Sequence, residues 1–271
     1  MKLSDLGELG LLRELERRGL ARGIDADAAL VGGLVVTQDT LVEGIHFRLD
    51  WIPHRELGYR AAVVNLSDLA ASGARPIGLL VSLAVPASME ADAVLELYEG
   101  IRETDVPVVG GDTCEAERLY VTVTALGRAE RVPGRSGAVS GDLLVVTGPL
   151  GAAGAAFRGH RYARPPVRLQ EGLALAASAH AMLDLSDGLA VDAGHLAERS
   201  GCRLVVELEQ VPLAHGATID DLAFGEDYEL LAAVPEATGF REIGRCEEGE
   251  GVELLLHGEP YELAGYIHFG R

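Results

Sequence analysis

Apolar and polar positions alternate most cleanly at residues 119–126. Val121, Val123 and Ala125 fall on one side, and Tyr120, Thr122 and Thr124 on the other. A period of two marks a half-buried strand, the kind found in antiparallel sheet. Short apolar runs at 34–39, 79–85 and 106–109 also read as strands, the last running into Gly110-Gly111-Asp112. Helical spacing covers residues 4–19, closed by Gly19, and residues 55–73, closed by Gly73 with Pro76 beyond. Ser88 is a candidate N-cap for a helix running through Arg102.

The pattern breaks at residues 130–142, where Pro133, Gly134, Gly137 and Gly141 gather. A domain boundary is placed there, giving units 1–136 and 137–271. The second unit opens with a strand at 143–147 and a Gly/Ala-rich stretch at 148–159. A helix at 167–179, a strand at 181–185 and a helix from Ser186 to about Arg199 follow. Strands are expected at 203–208 and 228–234, then a β-rich tail from Glu247 to Arg271. Half-buried strands mixed with helices predict two α/β or α+β domains with helices layered on sheets.

Charge narrows the function. The chain has 271 residues with 42 acidic and 23 basic side chains, a formal net charge of −19. Such a chain lacks the basic footprint that nucleic acid or an anionic membrane requires. Cys114, Cys202 and Cys246 fit neither a disulfide framework nor a zinc spacing, and are expected to be free, buried thiols in a reducing cytoplasm. The N-terminal stretch is charged and amphipathic, unlike a secretory signal, and no window is apolar enough to cross a bilayer. Lys2 is the only lysine, so neither a P-loop nor a protein-kinase strand lysine exists. Any handling of ATP must use other groups.

Four segments place Asp at a strand end or helix start: Thr37-Gln38-Asp39-Thr40, Asn65-Leu66-Ser67-Asp68, Gly110-Gly111-Asp112-Thr113 and Asp184-Leu185-Ser186-Asp187-Gly188. Asp25-Ala26-Asp27 is a weaker fifth. Magnesium favours oxygen ligands and is usually held by one or two carboxylates plus substrate phosphates. A spacing of three, as in Asn65/Asp68 and Asp184/Asp187, suits one side of a helical turn. The diglycine before Asp112 suits close approach to an anion, and Ser186 is a candidate cap whose helix end would face phosphates. Asn65–Ala70 and Asp184–Ala190 nearly repeat each other, one in each half. Singly, each Asp is most simply a cap or a turn residue; their ordered combination points to metal-assisted phosphate chemistry.

In order, these segments resemble the thiamine-monophosphate kinase family, in the superfamily that includes aminoimidazole ribonucleotide synthetase. The resemblance also rests on Gly44-Ile45-His46-Phe47, Arg135-Ser136-Gly137, Gly225-Glu226-Asp227-Tyr228-Glu229-Leu230 and Gly265-Tyr266-Ile267-His268-Phe269. It implies a two-domain fold, an N-terminal mixed sheet that dimerises, and phosphorylation of thiamine monophosphate by ATP with several magnesium ions. The implied metal ligands are Asp27, Thr37, Gln38, Asp39, Asp68, Asp112, Asp184 and Asp187. Implied ATP contacts are Tyr98, Gly111, Asp112, Arg135 and Ser186; implied substrate contacts are His46, Glu226 and Tyr266. The family's Gly-Asp-Asp-Ala-Ala stands here as Asp25-Ala26-Asp27-Ala28-Ala29, its Ser-Thr-Asp as Thr37-Gln38-Asp39, and the stretch from Pro212 to Phe224 is compressed. The alternatives are a superfamily enzyme acting on a purine precursor or selenide, and a non-catalytic nucleotide-binding dimer. The selenide relatives carry a reactive N-terminal Cys or equivalent and a Lys; here the region has no Cys and only Lys2.

Overall fold

The structure, a computed structural model, describes residues 3–23 and 26–266, with the side chains of residues 4, 5, 8 and 9 excepted. Asp25 and the Ile267-His268-Phe269 ending lie outside the described residues. After helix α1 (Leu3–Arg17), five strands build the first sheet: β1 (Ala29–Val31), β2 (Leu34–Val42), β3 (Arg75–Val85), β4 (Val108–Glu115) and β5 (Tyr120–Arg128). Their order is β1-β2-β5-β3-β4, antiparallel except for the β3/β4 pair. Helices α2 (His54–Ala71) and α3 (Ala91–Arg102) accompany it. They approach backbone to backbone: a Cβ on Gly58 would stand 1.8 Å from the Leu97 carbonyl oxygen, and one on Gly100 1.8 Å from that of Arg55. Only glycine fits at either place.

The second sheet holds β6 (Leu143–Val146), β7 (Ala181–Asp184), β8 (Arg203–Glu207), β9 (Leu230–Val234), β10 (Arg241–Glu247), β11 (Gly251–Leu256) and β12 (Glu259–Pro260), in the order β12-β11-β8-β10-β6-β9-β7. Helices α4 (Ala152–Arg158), α5 (Leu169–Ala176) and α6 (Leu189–Ser200) complete this half. Leu144, Val146, Leu183 and Val206 pack with Leu189, Ala193 and Leu196 of α6. Val145, Met182 and Ala232 pack instead with Leu175 of α5 and with Ala70 and Ala71 of α2. Because Leu57, Leu66 and Leu69 of α2 also pack with Leu79, Val81 and Val123 of the first sheet, α2 is wrapped on both sides. That is why it is apolar nearly all round rather than along one stripe.

Several expectations change. The strand expected at 106–109 runs on through the diglycine to Glu115, so Gly110-Gly111-Asp112 is exposed edge strand and not a turn. Cys114 on that strand is exposed, while Cys202 and Cys246 are buried. Helix α3 begins after Glu90 rather than at Ser88. Helix α6 begins after Gly188, whose φ of 107° breaks the backbone, so Ser186 is not its cap. No side chain caps α6; Asp192, in its first turn, instead reaches back to the turn before it, its Oδ2 accepting the N–H groups of Asp187 (3.0 Å) and Gly188 (3.1 Å). Hence Asp184 and Asp187 do not share a helical turn, although Asn65 and Asp68, both within α2, do.

Candidate functional site

A cavity of about 890 Å³ opens between the halves, lined from the first by β2, α2 and the loop carrying Asp27, and from the second by Arg135, the β7–α6 turn and the Gly225–Tyr228 loop. At its floor the carboxylates of Asp27, Asp68 and Asp184 converge, each offering an oxygen within 4.8 Å of the others. Hydrogen bonds fix the group. The Thr37 hydroxyl donates to Asp68 Oδ2 at 2.5 Å, and the Ser67 hydroxyl donates to Asp184 Oδ2 at 2.7 Å, bridging the halves. Asn65, fully buried, accepts the Asp39 N–H at 3.0 Å and donates to the Ala61 carbonyl at 3.0 Å.

So much negative charge in little solvent is costly. Burial and the charges of Asp184, Asp39 and Asp27 push Asp68 well above the ordinary carboxylate range. Burial and Asp27 push Asp184 up to about 7. Burial raises Asp39 and Asp27 as well, the latter against the pull of Arg135. Arg135 donates twice to Asp27 Oδ1, at 2.9 and 2.5 Å. A closely spaced set of hard oxygen donors that repel one another is chemically suited to a divalent cation such as magnesium.

The rest of the cavity is built differently. Glu226 is ion-paired with Arg60 of α2, which is 6% exposed, and the same guanidinium donates to the His46 carbonyl at 2.9 Å. His46 accepts the Val42 N–H on Nδ1 at 2.9 Å, leaving the proton of a neutral ring on Nε2. The loop holding Glu226 is strained. Gly225, Glu226 and Tyr228 have φ of 79°, 56° and 51°, two of them non-glycine residues in a left-handed conformation. A Cβ on Gly225 would sit 2.3 Å from the Ser186 carbonyl oxygen. The Glu226 N–H donates to that oxygen at 2.9 Å, so this loop and the β7–α6 turn are locked together.

The cavity thus gathers Asp27, Thr37, Gln38, Asp39, His46 and Asp68 from the first half. From the second it gathers Arg135, Asp184, Ser186, Asp187, Glu226 and Tyr266. Gln38 stands apart from the carboxylate cluster: its Oε1 accepts the Thr124 hydroxyl at 2.8 Å on the other face of the sheet. Asp112, Gly111 and Tyr98 do not line the cavity. Asp112 pairs with Ser82, Ser82 with Thr122, and Thr122 with Thr40, a row offset by one from Asp39 and therefore on the opposite face. Tyr98 packs half-buried against the first core. In the turn before α6 the Asp187 and Gly188 N–H groups are already taken by Asp192.

Arg60, Ser67 and His195 were not singled out from the sequence as site residues, yet all bear on the site. Arg60 and Asp68 lie two turns apart on α2, and a lone arginine in the apolar run 57–71 was the available signal. His195 lines the cavity from α6, where burial and nearby Arg135 lower its affinity for a proton.

A family profile described as AIR synthase related protein, N-terminal domain, matches residues 25–129. A thiamine-monophosphate kinase of Aquifex aeolicus is 34% identical, over 99% of this chain and 100% of its own length. One from Mycobacterium tuberculosis is 34% identical, over 99% of this chain and 93% of its own. The solved structure described as AaThiL complexed with AMPPCP and TMP superposes with a TM-score of 0.90 at 34% identity, covering 99% of both chains.

Proposed function

The chain belongs to the thiamine-monophosphate kinase family, and from that premise we propose how its cleft works. The reaction is ATP-dependent phosphorylation of thiamine monophosphate to the diphosphate. The attacking atom is an oxygen of the acceptor phosphate, ionised at neutral pH, so no strong general base is required of the protein. What is required is alignment of two polyanions that repel each other and the acidic cleft. Magnesium, when bound, would supply the charge that lets phosphates approach carboxylates. The residues that would hold it are Asp27, Asp68 and Asp184, with Asp39, Asp187 and the hydroxyl of Thr37 beside them. Gln38 is the weakest of the proposed ligands because its carbonyl is already engaged.

The protein's own groups do the positioning. Thr37 and Ser67 hold the Asp68 and Asp184 carboxylates. Arg60 fixes both Glu226 and the backbone of His46, our proposed acceptor contacts; Tyr266, the third, lines the cavity beside the β7–α6 turn, its N–H donating to the Asp187 carbonyl at 2.9 Å. Arg135, now on Asp27, and Ser186 are within the cavity to receive nucleotide phosphates. The convergence of Asp27, Asp68 and Asp184 from both halves carries this reading. Purified protein given ATP, magnesium and thiamine monophosphate should form thiamine diphosphate, measured by chromatography. Nucleotide binding without product at any magnesium concentration would leave a non-catalytic binder.

We place the division between domains at residues 136/137, within the stretch between the sheets. We also propose a homodimer through the first sheet. Its edge strand β4 is exposed along its whole length, with Val109 60% exposed and Ile77 of β3 44% exposed, an edge that needs covering. In one chain Asp112, Gly111 and Tyr98 lie off the cavity, and we propose that they meet nucleotide only in the assembled pair. Light scattering should return twice the chain mass; a monomer mass would remove both ideas. Among the described residues no helix is long and apolar enough to cross a membrane.

A further inference from the structure

One wall of the cavity is aromatic, in a chain that has one Trp and five Phe in all. Phe157 of α4 lines the cavity and is 49% exposed. Its ring lies 4.7 Å from that of Phe224, which also lines the cavity, and 5.7 Å from Trp51 in an edge contact. Trp51 is engaged from behind by the His160 ring at 5.1 Å and the Arg48 guanidinium at 5.2 Å. None of Trp51, Phe157 and Phe224 belongs to the three hydrophobic cores. The stack is a separate aromatic group, and Phe157 and Phe224 line the site.

The wall is rigid. Helix α4 is fastened at its start, where Asp227 accepts the Gly151 N–H at 2.7 Å, and at its end, where Arg158 grips both oxygens of Asp221 at 2.7 Å. Between them Gly154 abuts Asp221 so closely that a Cβ would stand 2.7 Å from its carbonyl oxygen. Phe224 leads directly into the strained loop, so the wall continues into the carboxylate of Glu226. A half-exposed ring on a fixed support, lining the same cavity as the carboxylates, is suited to a flat, positively charged heteroaromatic group, which stacks on a ring face and gains from its negative quadrupole.

We propose that Phe157, with Phe224 beside it and Trp51 as its buttress, binds the cationic heteroaromatic end of the acceptor. This rests on the kinase reading above and adds a division of labour. The phosphate end is held at the carboxylate cluster, and selection for the ring system is made by aromatic residues.

Because Trp51 is the only tryptophan, its emission reports on this wall alone. Titrating the wild-type protein with thiamine monophosphate should change that emission saturably, whereas inorganic phosphate, which has no ring, should not. In steady-state assays Phe157→Ala should raise KM for thiamine monophosphate by about 10-fold, with KM for ATP within about twofold of wild type. Phe157→Tyr, which keeps the ring face, should restore it, and Phe157→Leu should not. Thermal melting of each variant checks that α4 still folds. An unchanged acceptor KM in a folded Phe157→Ala, or full restoration by Leu, overturns the proposal while leaving the kinase reading intact. Failure of the wild-type protein to phosphorylate thiamine monophosphate removes the kinase reading itself.

Discussion

Asn65–Ala70 and Asp184–Ala190 carry nearly the same letters, and they touch in the cleft through Ser67 and Asp184 at 2.7 Å. Their backbones differ completely. The first lies in the last third of α2, where helical bonding continues through it and apolar neighbours press from both sheets. The second begins as the last residue of β7, turns, and becomes helix only at Leu189. The extra Gly188 permits the turn, and the strained loop holds it open: Leu185 N–H donates to Glu229 at 2.8 Å and Tyr228 N–H to Leu185 at 2.9 Å. The motif therefore specifies carboxylates near one another, and the surroundings decide what backbone presents them. In one copy the rigidity is helical; in the other it is borrowed from a neighbouring loop.

The sharpest way to break this comparison is to remove one acid from each copy. Asp68→Asn and Asp184→Asn should each lower turnover by about 10³-fold, comparable with loss of a major electrostatic contact. Melting temperature without magnesium should hold or rise, since a buried like charge is gone. Near-normal turnover in both would mean the acids are structural. Next come the residues that follow Asp68 in the first copy and Asp187 in the second. Leu69→Ala should cost about 3 kcal/mol as a cavity in the core. Gly188→Ala should cost about 2 kcal/mol, because φ is 107° and the new Cβ would meet the Ala223 carbonyl at 2.9 Å. Urea unfolding measures both; equal tolerance at the two places would show that the backbones are not so different.

The borrowed rigidity can be tested through Asp227, which anchors the loop that supports only the second copy. Burial lifts its carboxyl to about 6, with Oδ1 buried and unpartnered. The folded protein thus holds that proton more tightly than the unfolded chain does. Its cost is absent below about pH 4, grows as pH rises to about 6 and is constant above, on the order of 3 kcal/mol in all. The stability of wild type minus that of Asp227→Asn should fall across that window; a flat difference would refute the assignment. The smallest effect is expected from Ser67→Ala, about 1 kcal/mol of stability for the bond joining the two copies.

Much of the fold was legible because burial writes itself into periodicity. The alternation at 119–126 became β5, and the long apolar stretch at 55–73 became α2. The diglycine strand was not legible, since an exposed edge has no apolar alternation to read and glycine suggests a turn. It is instead glycine because a Cβ on Gly111 would stand 1.8 Å from the Val81 carbonyl oxygen. Helix α4 was hidden within a Gly/Ala-rich stretch whose glycines serve close packing on Asp221. In the site, the acids were visible as motifs, but Arg60 and Glu226 are 166 residues apart and no local pattern links them. Nor could spacing foretell that α6 starts after Gly188 without a side-chain cap, and that Asp192 ties its first turn back to the Gly188 N–H.

The three converging carboxylates belong to separate stretches: the loop before β1, the last turn of α2 and the end of β7. An ion shared among them would act as a removable rivet through both halves of the molecule. Chelation would then do more than halt turnover. It would leave mutually repelling ends at the joint, open the seam to proteases, and make the cell's magnesium supply a determinant of how long each copy of the protein survives.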